Sequence, residues 1–149
     1  PTTQPLVFDL KDYLFMALIL KEQDFRESMK THDWSQYKDK VLCVFCSTDA
    51  IIPSWGYMLV ATMAAPYAKE VFFGTPDQWI SRQLLASIDQ LDLAPYADQR
   101  VIIKGCSDHV AIGPEIYVAL TSRLVPIVKS LMFGEPCSTV PVFKRPKGA

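Results

Sequence analysis

Glycine is scarce in this sequence and histidine scarcer: 6 and 2 of 149 residues. No Gly-rich phosphate loop, no Gly-x-Ser-x-Gly elbow and no His-Glu-x-x-His pair occurs, which sets aside P-loop nucleotide chemistry, the serine-hydrolase elbow and the helical zinc-protease site. The net charge is only −1, so no global field recruits nucleic acid or an anionic membrane. Lys144, Arg145 and Lys147 near the C-terminus are too few to alter that. The longest fully apolar run, Tyr13 to Leu20, is far too short to cross a bilayer. Pro1 to Pro5 shows neither the basic nor the apolar region of a secretory signal. With 4 cysteines in a chain apolar enough to fold without disulfides, a reducing, cytoplasmic setting is expected. Neither a nucleic-acid nor a membrane partner is expected.

What is present is a duplication. Lys40 to Pro53 returns sixty residues on as Arg100 to Pro114. In both copies an apolar run ends in Cys-Ser, a short loop follows, and a proline marks the next helix. Identical pairs at this offset are Val41/Val101, Cys46/Cys106, Ser47/Ser107, Ile52/Ile112, Tyr57/Tyr117, Pro66/Pro126, Lys69/Lys129, Phe73/Phe133, Gly74/Gly134 and Pro76/Pro136. Chance would supply about two over that stretch. Tyr37/Tyr96 and Asp39/Asp98 follow one residue out of step.

Each copy reads strand–loop–helix–strand. Val41 to Cys46 is a continuous apolar run, as expected of a strand buried on both faces, and Lys69 to Gly74 is a second strand. Between them a helix opens at Pro53 or Ser54. Thr75 caps a further helix to about Asp89. In the second copy Val101 to Lys104 is the strand, Pro114 starts the helix, and Lys129 to Gly134 is the returning strand. Before the repeats, Pro5 to Leu10 reads as a strand, Lys11 to Lys21 as a helix apolar on nearly every side, and Glu22 to His32 as a solvated helix. After them, Cys137 to Lys144 alternates like an edge strand, followed by a basic frayed tail. The expected fold is α/β: one domain over residues 1–149, with two pseudo-symmetric repeats (37–77 and 96–137) forming a mainly parallel sheet with flanking helices. The segment Tyr13 to Leu20 suggests a homodimer contact, or else internal burial.

In open parallel sheets ligands gather at the carboxyl ends of strands. Cys46 and Cys106 fall there in both copies, and Cys137, again followed by serine, supplies a third thiol. Cys43 lies mid-strand and reads as core. Three thiolates with one N or O donor suit tetrahedral zinc, so Cys46, Cys106 and Cys137 are expected as dispersed ligands, completed by Asp108, His109, Asp49 or water. An iron–sulfur cluster is the alternative metal group. Two other readings stay open. One is a thiol enzyme with His109 as base. The other is a metal-free interaction or anion-binding domain using the loops of Ser47, Ser107 and Ser138. Each cysteine also has the plainer reading of a small buried hydrophobe. His32 reads as a surface residue, and Trp34, Trp55 and Trp79 as core or interface.

Phe8-Asp-Leu-Lys-Asp-Tyr-Leu-Phe15, His32-Asp-Trp-Ser-Gln-Tyr37, Cys46 to Pro53, Lys104-Gly-Cys-Ser-Asp108 and Gly134 to Pro141 together carry a resemblance. The chain resembles an uncharacterised bacterial family, seen mainly in Bacteroidetes, known as domain of unknown function 2480. The resemblance covers most of the chain and implies no activity, cofactor or partner. His109 lies just outside the Lys104 to Asp108 stretch.

Overall fold

The computed structural model describes residues 4–105, 112–135 and 138–148. They divide into two compact units, one ending at Trp79 and the other beginning at Ile80, and each contains its own three-stranded sheet. The α/β class is as expected. The strands, however, make two sheets where a single mainly parallel one was anticipated.

In the first unit β1 (Leu6–Asp9), β2 (Val41–Phe45) and β3 (Glu70–Phe73) lie parallel in that order. The apolar run of β2 fits its central place, with Leu42, Cys43 and Val44 all buried. Charged α1 (Glu22–Thr31) spends its two apolar residues, Phe25 and Met29, on one face at helical spacing. They join Phe8, Leu10, Trp34, Tyr37, Leu42 and Val44 in a core with Val60 and Ala64 of α2 (Ser54–Ala64). Buried Gly56 admits Leu20 at close range, since a Cβ there would stand 2.9 Å from Leu20 Cδ2.

A helix α3 (Pro76–Gln90) spans the division between the units. Its start is a capping box. Thr75 Oγ1 accepts from the Gln78 backbone N–H at 3.2 Å, and Gln78 Oε1 accepts from the Thr75 N–H at 2.9 Å. The preceding Gly74, at φ +142°, takes a conformation a side chain would strain.

In the second unit β4 (Arg100–Lys104) pairs parallel with β5 (Ser130–Glu135), and β6 (Ser138–Lys144) adds antiparallel to β5. Half-buried Val101 and Ile103 of β4 alternate with exposed Arg100, Ile102 and Lys104, so only one face is covered. On that face Leu124 at the end of α4 (Pro114–Leu124), Val128 and Leu131 form a small core with Val101, Ile103, Leu120 and Phe143 at its edge. Pro141 sits in the edge strand, where its missing N–H matters least.

The duplication extends to individual hydrogen bonds. Asp39 and Asp98 both have φ 59°, and their N–H groups donate to Tyr67 O at 3.1 Å and Ile127 O at 2.8 Å. Lys69 N donates to Lys40 O, and Lys129 N to Gln99 O, each at 2.8 Å. Tyr57 stands edge-on to Phe73 with centroids 5.1 Å apart, and Tyr117 to Phe133 at 5.5 Å. The copies differ in where the third strand attaches. β1 joins the first strand of its repeat, whereas β6 joins the second.

Three local expectations are corrected. Residues 14–21 of the expected Lys11 to Lys21 helix are not helical. A 3₁₀ turn over Leu10–Tyr13 gives way to a tight turn in which Phe15 and Ile19 bridge antiparallel and Met16 and Ala17 have φ of 52° and 59°. Two consecutive positive φ values define a type I′ turn, which apolar patterning cannot reveal. His32 is half-buried rather than a surface residue. The basic tail is anchored through Arg145. Its guanidinium pairs with Asp98 at 2.7 Å and donates to Ile127 O and Val128 O at 3.0 Å each.

Candidate functional site

The carboxyl ends of β1 and β2 bring a small polar group together in the first unit. Parallel register sets Asp9 beside Phe45, the last residue of β2, so the Asp9 side chain reaches the loop that begins at Cys46. Its carboxylate accepts from the Ser47 backbone N–H at 3.1 Å and from the Lys11 N–H at 2.9 Å. Burial pushes the Asp9 carboxyl up, but the Ser47 hydroxyl and N–H, the Lys11 N–H and the Lys11 charge outweigh it and hold it below the ordinary value. Asp9 is therefore a carboxylate at neutral pH.

Cys46 is a free, half-buried thiol. Its Sγ lies 3.3 Å from Thr48 Oγ1 and 3.7 Å from Thr48 O. Tyr57, on the first turn of α2, belongs to the same group. Burial raises its pKa first, and the neighbouring Cys46 and Asp9 raise it further. Asp9 is the standing negative charge of this group. Helix α2 opens only at Ser54, after an eight-residue reach from Cys46, so its N-terminus does not follow the Cys-Ser dipeptide directly.

Cys43 and Cys46 stand in Cys-x-x-Cys spacing, which the expectation of dispersed ligands passed over. Cys43 is fully buried within β2, whereas Cys46 follows the end of the strand and is half-buried.

The remaining expected residues divide. Asp49 is exposed on the rim of a groove of ≈ 420 Å³ between the Met16–Ala17 turn and the loop leading to α2. Ser138 is exposed at the start of β6, opposite Glu135. Cys106, Ser107, Asp108, His109 and Cys137 lie outside the described residues. Among the described residues no three His, Cys, Asp or Glu side chains form a group able to hold a metal ion. Asp9 and Tyr57 were missed as site residues, although each left a trace: Asp9 lies in the Phe8 to Phe15 stretch and Tyr57 is an identical repeat pair.

A second polar cluster lies in the same unit. His32 Nε2 lies 2.7 Å from the Tyr37 hydroxyl, and His32 Nδ1 lies 3.5 Å from that of Tyr13. Phe8 stacks on both Tyr13 and Trp34, at 5.0 and 5.3 Å between centroids. Burial lowers the His32 pKa more than Asp33 raises it. Burial, with Tyr13 and Asp33 nearby, pushes Tyr37 up to about 12. All three groups are thus neutral at pH 7, and the cluster is a satisfied polar element of the core, where Trp34 Nε1 also donates to Met29 O at 2.8 Å.

Among the described residues no helix is long and apolar enough to cross a membrane. No curated protein and no solved structure matches the chain. The family model described as a protein of unknown function (DUF2480) matches residues 1–145, so the chain belongs to that family.

Proposed function

We propose that the chain binds a metal ion, zinc first and an iron–sulfur cluster second, through thiolates that include Cys46. The observation that carries this reading is the Asp9 carboxylate bonded to Ser47 N–H beside a free thiol. An anion-binding loop needs its N–H groups vacant, and here a fixed carboxylate already occupies one. The Asp9 carboxylate beside the Cys46 loop favours a cation. Cys106 and Cys137 are the further thiolate donors in this reading, with Asp108, His109, Asp49 or water completing four-coordination. An open position would let the metal lower the pKa of bound water.

Elemental analysis of protein purified without an affinity tag is the test. Near-stoichiometric zinc that falls in Cys46→Ser supports zinc, and a brown protein supports a cluster. Protein that is metal-free as purified and takes up neither zinc nor iron on reconstitution overturns the reading. The Phe15–Ile19 turn presents Phe15, Met16, Leu18 and Ile19 to solvent, which supports its use as a homodimer contact. Leu18→Glu should then shift light-scattering mass from dimer to monomer, and a wild type already monomeric at high concentration removes the contact.

A further inference from the structure

The second sheet has one face turned from its core, and register fixes what that face displays. The row Val101–Leu131–Phe143 packs toward Leu124 and Val128. On β4 and β5 the rows on either side therefore point the other way, and on β6 a bulge between the Leu131 and Met132 pairings, with Val142 as the extra residue, brings Pro141 opposite Met132. One is Arg100–Ser130–Lys144, and the next is Ile102–Met132–Pro141. A cationic row thus runs beside an apolar row on a face where Arg100, Ile102, Pro141 and Lys144 are exposed.

A groove of ≈ 1070 Å³ runs across the starts of β4 and β5 and the end of β6, rimmed by Arg100, Lys129, Lys144 and Lys147. The acid on its lining, Asp98, is already bonded to Arg145 at 2.7 Å. Among the described residues none of the four rim cations makes an ion pair. Surface charges scattered in water need no explanation, but four like charges around one apolar groove repel each other unless a counter-charge arrives. Arg145 cannot serve as that rim, because its guanidinium is held by Asp98 and two backbone carbonyls.

We propose that this groove binds an extended acidic peptide segment of a partner protein. Alternate residues of an extended peptide point the same way. Its carboxylates would meet the Arg100–Lys144 row while intervening apolar side chains rest on Met132 and Pro141. Single-stranded nucleic acid is the poorer fit, since it needs exposed rings for stacking. Phe143, the aromatic among the lining residues, packs into the core with Leu131. A bilayer surface fits a convex or flat basic face better than a groove.

The test is fluorescence anisotropy with a labelled peptide of alternating aspartate and leucine, about eight residues long. Comparison ligands are the same peptide with asparagine for aspartate, an oligo-dT of similar length, and phosphatidylserine vesicles. The full chain should bind the acidic peptide in a salt-sensitive way. Lys129→Glu combined with Lys144→Glu should weaken it by about tenfold or more, and Lys147→Glu alone by less. Lys104→Glu, on β4 but off the groove, should leave binding unchanged. Absence of binding by wild type, or equal binding by the double variant with its circular dichroism intact, overturns the proposal. So does tighter binding to the asparagine peptide, oligo-dT or vesicles.

Discussion

Two titratable residues of the first unit set its pH response in separate windows. His32 has a folded pKa below its ordinary 6.5 because burial disfavours the cation. The unfolded chain therefore takes up that proton first as pH falls, and stability declines from about pH 6.5 downward until the folded value is passed. Asp9 is also depressed, but from 3.8, and its group loses a charge on protonation. Its stabilisation is present above that value and is lost only as pH falls through the lower folded value. Urea midpoints measured across pH should show both limbs. His32→Gln should flatten the limb between neutrality and mild acid. Asp9→Asn should leave that limb intact and flatten the more acidic one, while lowering stability at pH 7 by about 1 kcal/mol through its weakened bonds to Ser47 and Lys11. A His32→Gln profile that still falls through pH 6 would remove histidine as its cause. Neither role was legible beforehand, because His32 gains its place only when Tyr13 and Tyr37 close on it from different segments.

The turn at Met16 and Ala17 is where an element departs most from its sequence. An unbroken apolar run carries no helix period and no strand alternation, so Tyr13 to Leu20 offered nothing to separate helix from hairpin. The hairpin signal that sequence reading relies on, Asn-Gly between apolar runs, is missing there. Its backbone is instead held in the left-handed region by non-glycine residues, at a cost of about 1–2 kcal/mol each. Met16→Asn with Ala17→Gly should relieve that strain and raise the urea unfolding free energy by about 1 kcal/mol. A loss of stability from this pair would show that the Met16 side chain contributes more than the strain costs. Elsewhere local chemistry sufficed. Thr75 and Gln78 spell their capping box, Pro114 opens α4, and the β2 run matches its burial.

At the scale of the whole chain, the duplication was legible because paired residues such as Tyr57/Tyr117 and Phe73/Phe133 do the same work in both copies. The division into two sheets was not, since nothing within a repeat states which edge a third strand will join. β1 and β6 chose different edges. The two cores that result are unequal. The first gathers Phe25, Leu10, Met29, Leu42 and Val60 at under 2 % exposure, the second chiefly Leu131 and Val128. Trp34 and Trp55 lie well within the first unit and Trp79 at its last residue, so tryptophan fluorescence reports mainly that unit. Leu131→Ala removes the central side chain of the smaller core and should cost about 2–5 kcal/mol there. Urea unfolding of this variant should then split. The far-ultraviolet circular dichroism should lose part of its signal at low denaturant while tryptophan emission holds to near the wild-type midpoint. Coincident, equally shifted transitions would mean that the units unfold as one cooperative body, each core depending on the other.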